Sequence, residues 1–326
     1  MATILVAGGA GYVGSHACKA LARAGHIPVT FDNLATGHRA AVRYGPLVEG
    51  DLMDRAALAQ AMQTHQPRAV MHFAALSEVG ISVRQPDLYW EVNVTGSLNL
   101  FRAALDHGIQ AAVFSSTCAT YGLAAGQTLS EGDAQVPVNP YGRTKLAVEH
   151  MLGDLGHAYG LRSVMFRYFN AAGADPDREI GEDHRPETHL IPLVLDAASG
   201  RRESITVFGS DYDTPDGTCI RDYIHVADLA EAHVLGLERL LAGGESLALN
   251  LGSGTGHSVR AVIDGARAVT GLDIPVVEGA RRAGDPPRLV SGSARAAEIL
   301  GWQPARSDLA TMIGDAWAWH QTGKYR

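Results

Sequence analysis

The stretch ILVAGGAGYVGSHACKALARAGH, residues 4–26, decides the fold. An apolar run, Ile4–Ala7, ends on glycine and is followed at once by a helical pattern. Strand, tight turn and helix in that order open a βαβ unit. Gly8, Gly11 and Gly14 satisfy GxxGxxG, while Gly9, Gly11 and Gly14 satisfy GxGxxG. Either spacing turns the backbone sharply and brings the first N–H groups of the helix against a pyrophosphate. The next apolar run closes on Asp32 in VTFDN. A carboxylate there binds ribose hydroxyls and repels a 2′-phosphate, so the expected cofactor is NAD rather than NADP.

Outward from this unit, short apolar runs alternate with helical patterns. Expected strands are Ile4–Ala7, Pro28–Phe31, Leu47–Glu49, Ala69–Ala74, Ala112–Ser115 and Ser163–Arg167, with helices near 13–25, 54–65, 87–107 and 141–159. Continuous Val/Ile/Leu/Phe runs joined by helices read as buried parallel strands with right-handed crossovers. The expected fold class is α/β, a doubly wound parallel Rossmann-type sheet. After about Asn170 the alternation breaks. The stretch 174–187, rich in Asp, Pro, Gly and Glu, reads as loop. A helix near 189–199, a strand at Ile205–Phe208, helices at 227–241, 259–270 and 308–320, a strand at Leu247–Leu251 and a Pro/Arg-rich loop at 281–288 follow. Residues 1–170 are expected to form the cofactor domain, with segments near 220–252 returning to it, and 171–326 a smaller mixed α/β substrate lobe.

Composition narrows the function. The 326 residues carry a net charge of -8, which disfavours a nucleic-acid surface built from clustered Lys and Arg. A local basic pocket for a small anion remains compatible with that balance. Cys18, Cys118 and Cys219 lie far apart with no CxxC pair, so no zinc site or disulfide framework is indicated. No window reaches the ~18 apolar residues needed to cross a bilayer, and the start lacks a signal-peptide pattern. A soluble cytoplasmic protein is expected.

Tyr141 and Lys145 stand four apart in NPYGRTKLAVEHML, one helical turn apart on a shared face. A tyrosine titrates near pH ~10, and a neighbouring ammonium is expected to lower that value toward a working base. FSSTCATYG follows the fifth strand and places Ser115, Ser116 and Thr117 at the carboxyl edge of the sheet, where the cofactor's reactive end belongs. HFAALS, residues 72–77, ends the fourth strand at the same edge, with small Ala74 and Ala75 leaving room. Asp51, in EGDLMD, reads equally as a contact to the adenine edge or as a helix N-cap.

Glycine loop, strand-end hydroxyl and YxxxK together resemble the short-chain dehydrogenase/reductase superfamily. Over nearly its whole length the chain resembles the UDP-glucose 4-epimerases of its extended branch. The matching segments include GGAGYVGSH, NVTGS, FSSTCATYG, NPYGRTK, RYFNAAGA, HLIPLV, FGSDYDTPDGTCIRDYIHVADLA, NLGSGTG and GDPPRLV. The resemblance implies that Tyr141 takes the proton of the sugar 4-hydroxyl as hydride passes from carbon 4 to bound NAD. Thr117 would hydrogen-bond that hydroxyl, and Lys145 would tune Tyr141 and anchor the nicotinamide ribose. Tyr12, Val13, Asn33, Leu52, Phe73 and Phe169 are implied cofactor contacts beside the glycines, Asp32, Asp51, Ala74, Ala75 and Ser115. The UDP-sugar would meet Ser77, Thr117, Tyr168, Asn170, His189, Leu190, Val207, Phe208, Arg221, Arg282, Asp285 and Leu289. A homodimer through apolar positions of 88–105 and 147–155 is also implied.

Three positions depart from the family pattern. Ser77 stands where a lysine is usual, and His189 where an asparagine is usual. Leu289 stands where a larger tyrosine restricts strict hexose enzymes, which implies tolerance of N-acetylhexosamines. Related dehydratases and decarboxylases place an acid just after the strand-end hydroxyl, whereas Thr117 is followed by Cys118, Ala119 and Thr120. A UDP-pentose 4-epimerase and a non-enzymatic NAD-binding sensor are the remaining alternatives.

Overall fold

The computed structural model describes residues 1–123, 128–282, 285–322 and 325. In chain order the strands are β1 (Thr3–Ala7), β2 (Ile27–Asp32), β3 (Leu47–Glu49), β4 (Ala69–His72), β5 (Ala111–Ser115), β6 (Thr128–Leu129), β7 (Arg162–Tyr168), β8 (Asn170–Ala172), β9 (Ile205–Phe208), β10 (Ile220–His225), β11 (Leu247–Leu251), β12 (Gly256–Ser258), β13 (Val276–Gly279) and β14 (Arg288–Ser291). The helices are α1 (Tyr12–Arg23), α2 (Arg55–His65), α3 (Val79–Arg84), α4 (Pro86–Tyr89), α5 (Gly96–Asp106), α6 (Pro140–Tyr159), α7 (Leu190–Ala198), α8 (Val226–Leu241), α9 (Val259–Thr270), α10 (Ala294–Leu300) and α11 (Leu309–Gln321).

Seven strands form one parallel sheet in the order β11-β7-β5-β4-β1-β2-β3. Connections run outward in opposite directions from β1 and β4, so a crevice opens at their carboxyl ends. Ile4, Leu5, Val6 and Ala7 of β1 are all fully buried, as a central strand covered on both faces requires. One face packs Cys18 and Leu21 of α1 with Leu229 and Leu237 of α8. The other packs Leu58 and Met62 of α2, Phe101 of α5, and Val148 and Leu152 of α6. The helix expected over 87–107 is broken: α4 passes into a π-helical segment, Trp90–Thr95, before α5. The strand expected to reach Ala74 ends at His72, because the Phe73 and Ala74 N–H groups both turn onto the Ala7 carbonyl (2.8 and 3.1 Å).

The second half builds a smaller sheet, β12-β10-β14-β6 with β8 against β10, and a separate β13-β9 pair. Helices α7, α9 and α11 close around Val194, Ile263 and Ile313. Of the stretch 220–252, α8 and β11 lie with the large sheet, while β10 belongs to the smaller one. Residues 283 and 284 of the Pro/Arg-rich loop fall outside the described residues. Among the described residues, no helix is long and apolar enough to cross a membrane.

Candidate active site

The glycine turn is built to admit an anion. Gly8 has φ +81°, and a Cβ there would lie 2.4 Å from the Ala74 nitrogen. A Cβ on Gly14 would lie 2.0 Å from the Gly8 carbonyl oxygen, so α1 sits directly on the turn. Gly11 caps α1 with extended backbone and no side-chain hydrogen bond. Its first N–H groups are therefore left for an anionic ligand, favoured by the helix dipole. Val13 stands in that first turn, and the Tyr12 hydroxyl donates to the Gly173 carbonyl at 2.7 Å.

Asp32, at the end of β2, accepts the Ala10 N–H at 3.0 Å and the Leu34 N–H at 2.9 Å. Burial raises its pKa, and those two bonds oppose the rise. Asn33 donates to Asp51 at 2.8 Å, and Asp51 also accepts the Met53 N–H at 2.8 Å. The N-cap of α2 is Asp54, which accepts the Ala56 and Ala57 N–H groups, so the capping alternative for Asp51 is removed. Leu52 is nearly buried and Phe73 rests on His233. Ala74 and Ala75 continue beyond β4 at the crevice, where Ser77 is exposed.

Tyr141 and Lys145 lie on α6, whose start is strongly specified. The Asn139 side chain accepts the Gly142 N–H at 2.8 Å, and Pro140 occupies the first turn. A Cβ on Gly142 would lie 2.6 Å from the Ala119 carbonyl oxygen, which presses this turn against the Thr117 loop. Thr117 accepts the Ala119 N–H at 3.1 Å, and its hydroxyl acts to lower the Tyr141 pKa. The Ser115 and Tyr168 hydroxyls are 2.6 Å apart. Thr117, Tyr141, Ser115 and Tyr168 thus form one polar cluster over the end of β5.

Lys145 takes a partner of its own. Its Nζ donates to the Ser115 carbonyl at 2.9 Å and lies 4.9 Å over the Phe114 ring. With 4% exposure, burial lowers its pKa to about 7, while Glu149 acts to raise it. Other groups weigh most on the Tyr141 pKa here. Burial comes first and raises it, Tyr168 adds to the rise, and the Thr117 hydroxyl opposes both.

A cavity of about 440 Å³ opens between β8, α7 and β10. Asn170, His189, Leu190, Phe208, Arg221, Arg282 and Asp285 all line it. Asn170 donates to the Asp222 carbonyl at 2.8 Å. Arg221 pairs with Asp285 and donates to the Pro286 carbonyl at 2.9 Å, while Arg282 lies 4.2 Å over the Phe208 ring. Val207 is a correction. Strand alternation turns its side chain into the lobe core, fully buried, and turns Phe208 outward. Leu289 and Phe169 each pack against the cluster of Cys118, Tyr121 and Leu129.

Two features escaped the sequence reading. Glu149, one turn beyond Lys145, forms a buried ion pair with Arg167 (2.6 Å) and accepts from Ser116 and Gln135. Arg167 also donates to the Tyr121 hydroxyl at 2.9 Å, which donates to Asn250 at 2.8 Å. In the π-helical segment, Asn93 accepts the Leu76 N–H and donates to the Leu76 carbonyl and to Thr144. The only sequence signal for either was a polar residue at a helix position facing the core.

A fold with this crevice, this glycine turn and a tyrosine–lysine pair at its edge defines a dinucleotide-dependent enzyme of the short-chain dehydrogenase/reductase type. The chain belongs to the NAD dependent epimerase/dehydratase family, whose model matches residues 4–252. It is 55% identical to a UDP-glucose 4-epimerase from Rhizobium leguminosarum bv. trifolii, over 98% of this chain and 97% of that one. The UDP-glucose 4-epimerase of Brucella ovis, solved in complex with NAD, superposes with a TM-score of 0.96 at 53% identity, covering 98% of both chains. A UDP-Glc/GlcNAc 4-epimerase from Campylobacter jejuni superposes at 0.87 with 37% identity, covering 99% of this chain and 100% of that one.

Proposed function

We propose that this chain is an NAD-dependent UDP-glucose 4-epimerase in which Thr117, Tyr141 and Lys145 handle the proton of the sugar 4-hydroxyl. The observation that carries the reading is their meeting over the end of β5, beside the glycine turn and with no acid after Thr117. Glu149, the carboxylate on Ser116, is committed to Arg167 and is no spare acid for elimination or decarboxylation. NAD, when bound, supplies a hydride acceptor and donor at sugar carbon 4. Asp32 and the first turn of α1 hold its adenosine half. Thr117 and Tyr141 take the hydroxyl proton, hold it while the carbon is a ketone and return it. Arg221 and Arg282 face the uridine diphosphate, with guanidinium forks suited to phosphate oxygens.

Replacing Tyr141 with Phe removes the proton acceptor and leaves the fold. UDP-galactose conversion should fall ~10²-fold or more with NAD still bound. Unchanged turnover would refute the assigned base.

Leu289 favours a second activity, toward UDP-N-acetylhexosamines. It is smaller than the tyrosine of strict hexose enzymes and packs on the Cys118, Tyr121 and Leu129 cluster next to Thr117, and the Campylobacter relative is a UDP-Glc/GlcNAc 4-epimerase. Turnover of UDP-N-acetylglucosamine beside UDP-glucose tests it, and undetectable conversion of the former would sink it. We place the enzyme in the cytoplasm as a homodimer paired through α4–α6. Leu88 and Trp90, 38% and 43% exposed on that surface, support the pairing. A monomeric mass by light scattering would overturn it.

A further inference from the structure

The loop before α7 reads DPDREIGEDHRPETHL over 175–190 and carries two clusters of ligand-type side chains. In the first, Asp175, Asp177 and Glu179 close around the Lys19 ammonium at 2.7, 2.8 and 2.8 Å. That cluster already has its cation. The second has none of this kind. Glu182, His184, Glu187 and His189 each bring one donor atom to within 4.8 Å of the others. We propose that these four residues bind a divalent transition-metal ion, of zinc-like preference, in the wall of the substrate cavity.

Charge is the first argument. The Glu182 and Glu187 side chains are only 5% and 8% exposed. Two buried carboxylates side by side require compensating positive charge. Among the described residues, no lysine or arginine pairs with either, and only the two imidazoles reach them. A divalent ion supplies both charges at one point.

Geometry is the second. Oε1 of Glu187 accepts the Thr188 and His189 N–H groups at 2.7 and 2.9 Å, which fixes the carboxylate. Its Oε2 is buried with no hydrogen-bond partner. Nδ1 of His189 lies 2.6 Å from Oε1 of Glu182 and 3.4 Å from Oε1 of Glu187, yet has no aligned hydrogen bond. Nδ1 of His184 lies 3.1 and 4.0 Å from the same two oxygens. Tetrahedral bonds of about 2.0–2.2 Å give donor separations near 3.3 Å, which these distances bracket. Two imidazoles with two carboxylates suit zinc and its late first-row neighbours, whereas magnesium and calcium prefer all-oxygen shells.

Position gives the site a consequence. Glu187 and His189 line the cavity with Arg221 and Asp285. His184 lies edge-on to Tyr12 of α1, with ring centroids 6.3 Å apart, and Trp319 donates to the Glu182 carbonyl at 3.0 Å. A bound ion ties the loop that joins the glycine-turn side to α7, and it fixes the cavity wall.

The test uses the full chain with its bound NAD, stripped with a chelator, dialysed and titrated with Co²⁺ and Zn²⁺. One ion per chain is expected, with Kd of ~1 µM or below and the intense visible absorption of a four-coordinate cobalt site. H184A and E187Q, checked for fold by circular dichroism, should each weaken binding at least ~10²-fold. Absence of a stoichiometric ion on the wild-type chain overturns the proposal and leaves the histidines as protonated counter-charges. Binding equally tight in both variants overturns it as well, because the ion would then sit on other histidines.

Discussion

Replacing Glu149 with Gln keeps the shape of the side chain and removes its charge. The Glu149 carboxylate accepts from Arg167 Nε at 3.0 and 3.1 Å, from Arg167 Nη2 at 2.6 Å, from Gln135 at 3.1 Å and from Ser116. An amide offers one acceptor oxygen and turns an NH₂ toward donors. Arg167 and Glu149 are 7% and 3% exposed, so the guanidinium would be left buried and uncompensated. Breaking such a pair on one side costs about 3–5 kcal/mol, roughly 10²- to several-thousand-fold in the folding equilibrium. A second effect reaches the reacting pair. Glu149 acts to raise the Lys145 pKa against burial, which brings it to about 7. E149Q should therefore move that value below 7, and the ammonium should be lost at lower pH. The folded Lys145 binds fewer protons than an unfolded lysine between about 7 and its ordinary value of 10.5, so its contribution to stability rises with pH across that window. E149Q extends the window downward. Urea unfolding at several pH values, with a pH–rate profile on UDP-galactose, measures both effects. The basic limb of the profile should shift to the acid side. The double variant E149M/R167M should recover most of the stability, because removing both charges leaves no buried ion unpaired. A loss below about 1 kcal/mol in E149Q, or an unmoved basic limb, would refute the reasoning.

Three further outcomes follow from single contacts. G8A should leave purified protein deficient in NAD and destabilised by about 2–5 kcal/mol, from left-handed backbone and overpacking together. G11A, whose Cβ would meet only the Gly8 oxygen at 3.4 Å, should be mild, and equal NAD content in the two would count against the turn geometry. D32N should relax the preference for NAD over NADP while costing about 1–3 kcal/mol at the Ala10 and Leu34 N–H groups; cofactor content after reconstitution reads the change, and undiminished exclusion of NADP removes Asp32 from that role. L289Y should depress turnover of UDP-N-acetylglucosamine relative to UDP-glucose, and an unchanged ratio would take Leu289 out of sugar selection.

The main sheet was legible because each buried strand leaves a continuous apolar run and each crossover helix a long period. Ile4–Ala7 before Gly8, and Ala112–Ser115 before Thr117, needed no tertiary information. The strands at Thr128–Leu129, Asn170–Ala172, Gly256–Ser258 and Arg288–Ser291 are two to four residues long, too short for any period to register. The break in the 87–107 helix was equally hidden, since a π-helical insertion keeps the composition of a helix. Val207 failed for a related reason. Family likeness marks a segment as close to substrate, whereas the pleat decides which neighbour turns inward.

The reacting pair was legible as a motif and illegible as an electrostatic device. Four-residue spacing puts Tyr141 and Lys145 on one face, but the Lys145 side chain has its own choice of partner and takes the Ser115 carbonyl. Burial then dominates both groups, in opposite directions: it raises the phenol and lowers the ammonium. The chain by itself therefore holds Tyr141 protonated and Lys145 near its midpoint at neutral pH. For the phenol to accept a proton, positive charge must lie close to it and the Thr117 hydroxyl must keep acting on it. Glu149 governs how much of that charge Lys145 carries, which makes an ion pair beneath the pair, invisible to the motif, part of how the motif works.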